Sequence, residues 1–206
     1  MTRIKICGLR RPQDIEAVNA AGADFAGFVI EAERSRRSVS RREARILAKK
    51  LRKEIFSVGV FVDASPDLVA ELLEEGTIHM AQLHGQEDED YIFCLRQLTD
   101  KPLIQAFSIQ TEGDVGRALE STADYLLFDQ GRGGTGESFD WGLLPELSRP
   151  FFLAGGLGER NLEQAVRRVK PWAVDVSSSL ETEGKKDPEK IRRIVELAHG
   201  LDQGRA

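Results

Sequence analysis

Ile4-Lys5-Ile6-Cys7, Pro12-Gln13-Asp14-Ile15-Glu16-Ala17-Val18-Asn19-Ala20-Ala21 and Phe25-Ala26-Gly27-Phe28-Val29-Ile30 follow one another at the start of the chain. The first and third are short runs of β-forming residues. The second carries apolar residues at helical spacing, with Pro12 suited to a first helical position. Strand, helix and strand in this order lay the two strands parallel. Further strands are expected at Ser57–Val62, Met80–Leu83, Leu103–Phe107, Tyr125–Phe128, Phe151–Ala154 and Ala173–Val176. Helices are expected at Ser40–Leu51, Pro66–Glu75, Asp88–Leu98, Thr111–Glu120, Trp141–Leu147, Arg160–Val169 and Pro188–Leu201, with Ser40 and Asp187 as N-caps. Eight units in 206 residues, about 26 each, predict an α/β fold: one (βα)8 TIM barrel spanning residues 1–206. An open doubly wound sheet is the alternative, but the unit count is eight and no composition break divides the chain.

Composition excludes several classes. No apolar run approaches the ~20 residues that span a bilayer. The N-terminus enters directly into an apolar/basic alternation without a signal-peptide pattern, so a cytoplasmic protein is expected. Cys7 and Cys94 suggest no disulfide framework, and His79, His84 and His199 form no metal-ligand spacing with them. The net charge of −5, without a long basic block, argues against nucleic acid as a partner. The run Arg34-Ser35-Arg36-Arg37 is the local exception.

Side chains two apart on a strand share a face. Ile4 and Ile6 oppose Lys5 and Cys7; Ala81 and Leu83 oppose Gln82 and His84; Val174 and Val176 oppose Asp175 and Ser177. The apolar sets belong under helices, so the polar sets, with Asp129 closing the sixth strand, are expected inside the barrel. They gather at its carboxyl-terminal rim, where barrel enzymes keep their chemistry. Cys94, within Tyr91-Ile92-Phe93-Cys94-Leu95, reads as a small hydrophobe. Cys7 differs, ending a strand immediately before Gly8. Lys5 suits neutralising a buried carboxylate lower in the barrel. Taken alone, Gln82 and His84 read as ties that hold down loops.

The segment from Asp129 through Gly131-Arg132-Gly133-Gly134-Thr135-Gly136-Glu137 matches two nucleotide-binding glycine patterns by spacing only. No helix opens on it, and Glu137 occupies the place of the phosphate-binding lysine. It reads as a lid whose glycines allow close backbone approach to a ligand. Ala154-Gly155-Gly156-Leu157 and Ser177-Ser178-Ser179 follow strands seven and eight, where this fold commonly binds phosphate through backbone amides. With Arg37, these loops point to a small phosphate ester carrying a second anionic group.

Lys5-Ile6-Cys7-Gly8, Ser35-Arg36-Arg37-Ser38-Val39-Ser40, Gln82-Leu83-His84-Gly85, Gly133-Gly134-Thr135-Gly136, Ala154-Gly155-Gly156-Leu157 and Ala173-Val174-Asp175-Val176-Ser177-Ser178 run in one order along the chain. In that order the sequence closely resembles the phosphoribosylanthranilate isomerases of tryptophan biosynthesis. The resemblance implies a cofactor-free Amadori rearrangement. It makes Asp129 the general acid on the ribose ring oxygen and Cys7, as thiolate, the base at C2′. A thiol base asks for some lowering of its pKa by nearby positive charge. Arg37 would contact the anthranilate carboxylate or the reacting region, with Gln82, His84 and Asp175 also lining the substrate. The Gly133–Gly134, Gly155–Gly156 and Ser177–Ser178 segments would bind its phosphate. No metal, nucleic acid or membrane is implied; a monomer is expected, with a homodimer left open.

Two positions and one loop depart from the family pattern. Ser179 stands where glycine is usual, which strains the loop if that position needs positive φ. Glu137 replaces a residue that is often basic, and Glu31-Ala32-Glu33-Arg34 lacks aromatic or proline character. Two rival readings are the related histidine-pathway sugar isomerase, which carries a carboxylate where this chain has Cys7, and a catalytically silent barrel that binds a phosphorylated metabolite.

Overall fold

The computed structural model describes residues 2–130 and 140–201. Eight parallel strands surround its interior: β1 (Arg3–Cys7), β2 (Phe25–Ile30), β3 (Phe56–Phe61), β4 (Met80–Leu83), β5 (Leu103–Ser108), β6 (Tyr125–Asp129), β7 (Phe151–Leu153) and β8 (Ala173–Val176). Each pairs with its sequence neighbours, and β1 closes the ring by pairing with both β2 and β8. Closure runs through Lys5↔Phe25 to Cys7↔Gly27 on one side and Arg3↔Ala173 to Ile6↔Val176 on the other. Outside lie α1 (Pro12–Ala21), α2 (Arg41–Ala48), α3 (Pro66–Glu74), α4 (Glu89–Arg96), α5 (Glu112–Leu119), α6 (Leu162–Val169) and α7 (Pro188–Gly200). This is the expected TIM barrel.

The period-two reading of the strands explains both cores. Ile4, Ile6, Ala81, Leu83, Val174 and Val176 face outward and pack with Ile15, Val18, Ile191 and Ile194 of the surrounding helices. Inside, Phe25, Val58, Met80, Ile104, Leu127, Phe152 and Ala173 form a separate apolar cluster. Burying one such Phe or Leu contributes about 1.5–3 kcal/mol. The interior is therefore apolar at its floor and polar toward the carboxyl-terminal rim, where Cys7, Gln82, His84, Asp129, Asp175 and Ser177 were expected to gather.

Local signals place most element ends. Pro12 and Pro66 open their helices, Ser40 Oγ accepts from Glu43 N at 3.2 Å, and Asp187 Oδ1 accepts from Glu189 N at 3.0 Å. The helix expected to reach Leu51 stops at Ala48, because Lys50 and Leu51 donate to Leu47 and Ala48 in a tightened three-residue pattern. Strand β3 begins at Phe56 and ends at Phe61, leaving Val62 in the loop; Ala154 lies just beyond β7. The helix expected over Trp141–Leu147 is only a single 3-10 turn, Trp141–Leu143. Pro145 has no N–H to continue it and biases Leu144 to extended backbone, at φ −82° and ψ 122°. After β8 comes a feature not anticipated: an antiparallel hairpin pairing Glu181–Thr182 with Lys185–Lys186. Among the described residues no helix is long and apolar enough to cross a membrane.

Candidate active site

The carboxyl ends of the strands open onto a cavity of about 250 Å³. Cys7, Arg37, Gln82, His84, Asp129, Gly155, Gly156, Asp175, Ser177 and Ser178 all line it, while Val29, Val60, Val62 and Leu157 supply an apolar wall. The two remaining candidates, Gly133 and Gly134, and the unusual Glu137 lie outside the described residues.

Beneath the cavity, the fully buried Lys5 ammonium donates to Asp175 Oδ2 at 2.9 Å. The partner was expected lower in the barrel, but the register sets Lys5 beside Asp175 on neighbouring strands. Burial depresses the Lys5 ammonium, yet Asp175 and Cys7 outweigh it and hold its pKa above the ordinary value. Gly27 faces the same group. A Cβ there would lie 3.0 Å from Cys7 Sγ and 3.1 Å from Lys5 Cε, so glycine leaves both side chains their room.

Cys7 corrects one expectation. Burial pushes its thiol above the ordinary value, outweighing the downward pull of Lys5 and Lys186, and Asp175 adds to the rise. The cations are present, but desolvation of the thiolate is the larger effect. Asp129 is raised as well. Burial lifts its carboxyl, the charge of His84 opposes this, and so does a hydrogen bond from Gln130 N at 2.7 Å. A carboxyl whose pKa is raised holds its proton to higher pH, which suits a proton donor.

Gln82 and His84 both turn toward the cavity and pair with each other. Gln82 Nε2 donates to His84 Nδ1 at 2.8 Å, and His84 Nε2 lies 3.6 Å from Asp129 Oδ2. With Nδ1 turned to Gln82, Nε2 is the ring nitrogen that faces Asp129. Arg37 Nη2, Gln82 Oε1, Gln130 Oε1 and Asp175 Oδ1 are buried without a hydrogen-bond partner among the described residues. Buried polar atoms left unpaired are costly. Four of them around one cavity fit a polar ligand.

The anion side lies between Asp129 and Cys7, because β7 and β8 separate β6 from β1 around the ring. Gly155 and Gly156 take φ of 87° and 60°. A Cβ on Gly155 would come within 2.7 Å of Gln130 N and 3.0 Å of Asp129 Oδ1. Among the described residues the amides of Gly155, Gly156, Ser178 and Ser179 donate to no backbone acceptor. Ser177 Oγ donates to Cys7 O at 3.1 Å. Ser179 brings no backbone strain, since it is not among the residues with positive φ. Its hydroxyl instead donates to Leu157 O at 2.6 Å, fastening the loop after β8 to the loop after β7.

Sequence reasoning missed three polar groups here: Gln130, Glu181 and Lys186. Glu181 accepts from Arg37 Nε at 2.6 Å and Arg36 Nη2 at 2.9 Å, and the buried Lys186 ammonium donates to Ser177 O at 2.9 Å. The alternation of Lys186 with Asp187 carries no apolar partner that would have betrayed its burial. Among the described residues no group of three His, Cys, Asp or Glu side chains is arranged to hold a metal ion.

Comparison with known proteins agrees with this geometry. The family model described as N-(5'-phosphoribosyl)anthranilate (PRA) isomerase matches residues 4–197. An N-(5'-phosphoribosyl)anthranilate isomerase of Streptococcus pneumoniae serotype 19F (strain G54) is 42% identical over 204 residues, 98% of each chain. The crystal structure of phosphoribosyl anthranilate isomerase from Thermotoga maritima superposes with a TM-score of 0.88 at 35% identity, covering 97% of this chain and 100% of the other. A further phosphoribosyl anthranilate isomerase, in complex with reduced 1-(o-carboxyphenylamino)-1-deoxyribulose 5-phosphate, gives 0.83 at 32% identity over 97% and 100% of the two chains. A barrel of this topology, a rim of this chemistry and full-length similarity at these levels lead to one conclusion: the chain belongs to the phosphoribosylanthranilate isomerase family.

Proposed function

We propose that Cys7 is the base and Asp129 the acid of the reaction by which this chain converts N-(5'-phosphoribosyl)anthranilate to 1-(2-carboxyphenylamino)-1-deoxyribulose 5-phosphate in tryptophan biosynthesis. The observation that carries the assignment is their placement on either side of the two anion-suited loops. A phosphate held by the amides of Gly155, Gly156 and Ser178 sets the ribose between the carboxyl and the thiol. Gly133 and Gly134 belong to the same phosphate set on sequence grounds.

The Asp129 carboxylic acid protonates the ring oxygen as the C1′–O bond breaks, and the nitrogen lone pair forms the C1′=N iminium. The iminium acidifies C2′. The Cys7 thiolate takes that proton, and the C2′–H electron pair becomes the enolamine double bond, which tautomerises to the ketone. The productive microstate pairs a thiolate with a protonated carboxyl; the raised carboxyl of Asp129 favours its half of that pair, while burial of Cys7 works against the thiolate. Lys5, close under the thiol, is the cation that favours that thiolate. Arg37 presents its unpaired Nη2 to the substrate's second anion, the anthranilate carboxylate, and Asp175 lines the same side. His84 and Gln82 orient Asp129.

The test is Cys7→Ala, followed by loss of anthranilate-type fluorescence. Removing a general base should slow turnover by about 10²–10⁴-fold with the circular dichroism spectrum unchanged. Turnover at the native rate would remove Cys7 from the chemistry.

A further inference from the structure

Arg37 reaches the cavity by an unusual route. Its Cδ lies over Gly8, where a Cβ would come within 2.4 Å, so the side chain crosses the backbone just after Cys7. There it meets Glu181, which comes from the hairpin after β8. The Glu181 side chain is only 7% exposed and receives three cations. Arg37 Nε stands at 2.6 Å and Lys186 Nζ at 3.3 Å from Oε1, and Arg36 Nη2 stands at 2.9 Å from Oε2. Burial raises the Glu181 carboxyl, but Arg37 and Lys186 outweigh it and hold it below the usual carboxylate range. Lys186 is itself buried, and its donation to Ser177 O anchors the far end of the cluster on the loop after β8.

Satisfying Arg37 at Nε while Nη2 stays buried and unpaired divides the guanidinium into a held edge and a presented edge. Three cations surround the one carboxylate, and of the three it is Arg37 that lines the cavity. We propose that Glu181 is a positioning residue for substrate binding: it fixes the guanidinium of Arg37 so that Nη2 is presented to the substrate's carboxylate, and does so without touching substrate. The proposal rests on the reading of Arg37 as a substrate contact.

Reach and charge can be separated. Glu181→Asp keeps the charge and withdraws the carboxylate by one methylene; Glu181→Gln loses the charge and keeps an acceptor for Nε. Calorimetric binding of reduced 1-(o-carboxyphenylamino)-1-deoxyribulose 5-phosphate to the full chain should weaken about tenfold in Glu181→Asp, as misplaced binding groups cost orders of magnitude. In Glu181→Gln it should stay within about twofold. In an Arg37→Ala background, Glu181→Asp should cause no further loss, since the two act as one unit. Binding of inorganic phosphate should be unchanged in both single variants.

Native analogue binding in Glu181→Asp, additive losses with Arg37→Ala, or a parallel loss of phosphate binding would overturn the positioning role. Native analogue binding in Arg37→Ala would instead remove the reading of Arg37 beneath it, and the proposal with it.

Discussion

The floor and the rim of this barrel are built from the same strands in the same phase, yet they have opposite chemistry. At the floor, Phe25, Met80, Leu127, Phe152 and Ala173 point inward and pack as a dry cluster, with Phe25 and Phe152 ring centroids 5.5 Å apart and Trp172 5.3 Å from Phe152. Two residues further along four of those strands, the inward positions are Gly27, Gln82, Asp129 and Asp175. The change from Leu127 to Asp129 takes one step of the pleat. The floor excludes water and fixes the strands. The rim stands on it and stores desolvated charge: a buried ion pair, a raised thiol and a raised carboxyl. One region provides stability and the other gives some of it up, so the two should separate under mutation.

The largest expected effect confined to stability lies in the floor. Phe152→Ala should cost about 3–5 kcal/mol and lower the Tm by roughly 6–20 °C, while kcat/KM of the folded protein stays near native at low temperature. A Tm that hardly moves, with activity lost, would break the division between floor and rim.

Lys5→Met probes the boundary. Removing one partner of a buried pair costs about 3–5 kcal/mol, and here the loss should carry a catalytic signature as well. Lys5 holds the thiol down, so its removal should lower kcat/KM on the order of tenfold and move the alkaline limb of the pH–rate profile upward. An unmoved limb would make Lys5 purely structural. The folded pKa of Lys5 is raised. Its stabilising contribution is therefore complete below the ordinary lysine value and is lost as pH rises through the folded one, so native protein should lose stability in alkaline solution. Lys5→Met should lose less across that range.

The smallest effect belongs to the rim's outer edge. Ser179→Gly deletes a hydroxyl bond to Leu157 O and frees the backbone, for about 0.5–1.5 kcal/mol, and should loosen phosphate binding without changing kcat. Weaker phosphate binding, read by competition with inorganic phosphate, would confirm that Ser179 joins the two loops.

The rim was legible in the sequence because the period of two is strict where strands are four or more residues long. Cys7, Gln82, Asp175 and Ser177 therefore fell in phase with no further information. The floor was less legible: Phe25 and Phe152 are apolar on strands whose other face is apolar too, so alternation does not mark which side is inside. Glu181 and Lys186 lie on two-residue strands, too short for any periodicity. Glu181 is paired in its buried position by Arg37, 144 residues away, and Lys186 by Ser177 and Glu181. Direction of the Cys7 shift also escaped, since residue type and neighbours predict the pull of a cation but not the desolvation that exceeds it. Pro145 was visible in the sequence and should have ended the helix drawn through it.

The most direct measurement is made on Asp129→Asn, followed for both activity and stability. The folded carboxyl has a raised pKa, so the unfolded chain releases its proton first. Native stability then falls as pH rises from the ordinary carboxylate value through the raised one, and the deficit persists above it. Replacing the acid by a neutral amide should therefore raise the Tm at neutral pH, by about 2–4 °C for each kcal/mol released. Consumption of phosphoribosylanthranilate should fall by about 10²–10⁴-fold. Native-rate consumption by Asp129→Asn would contradict the account at its centre.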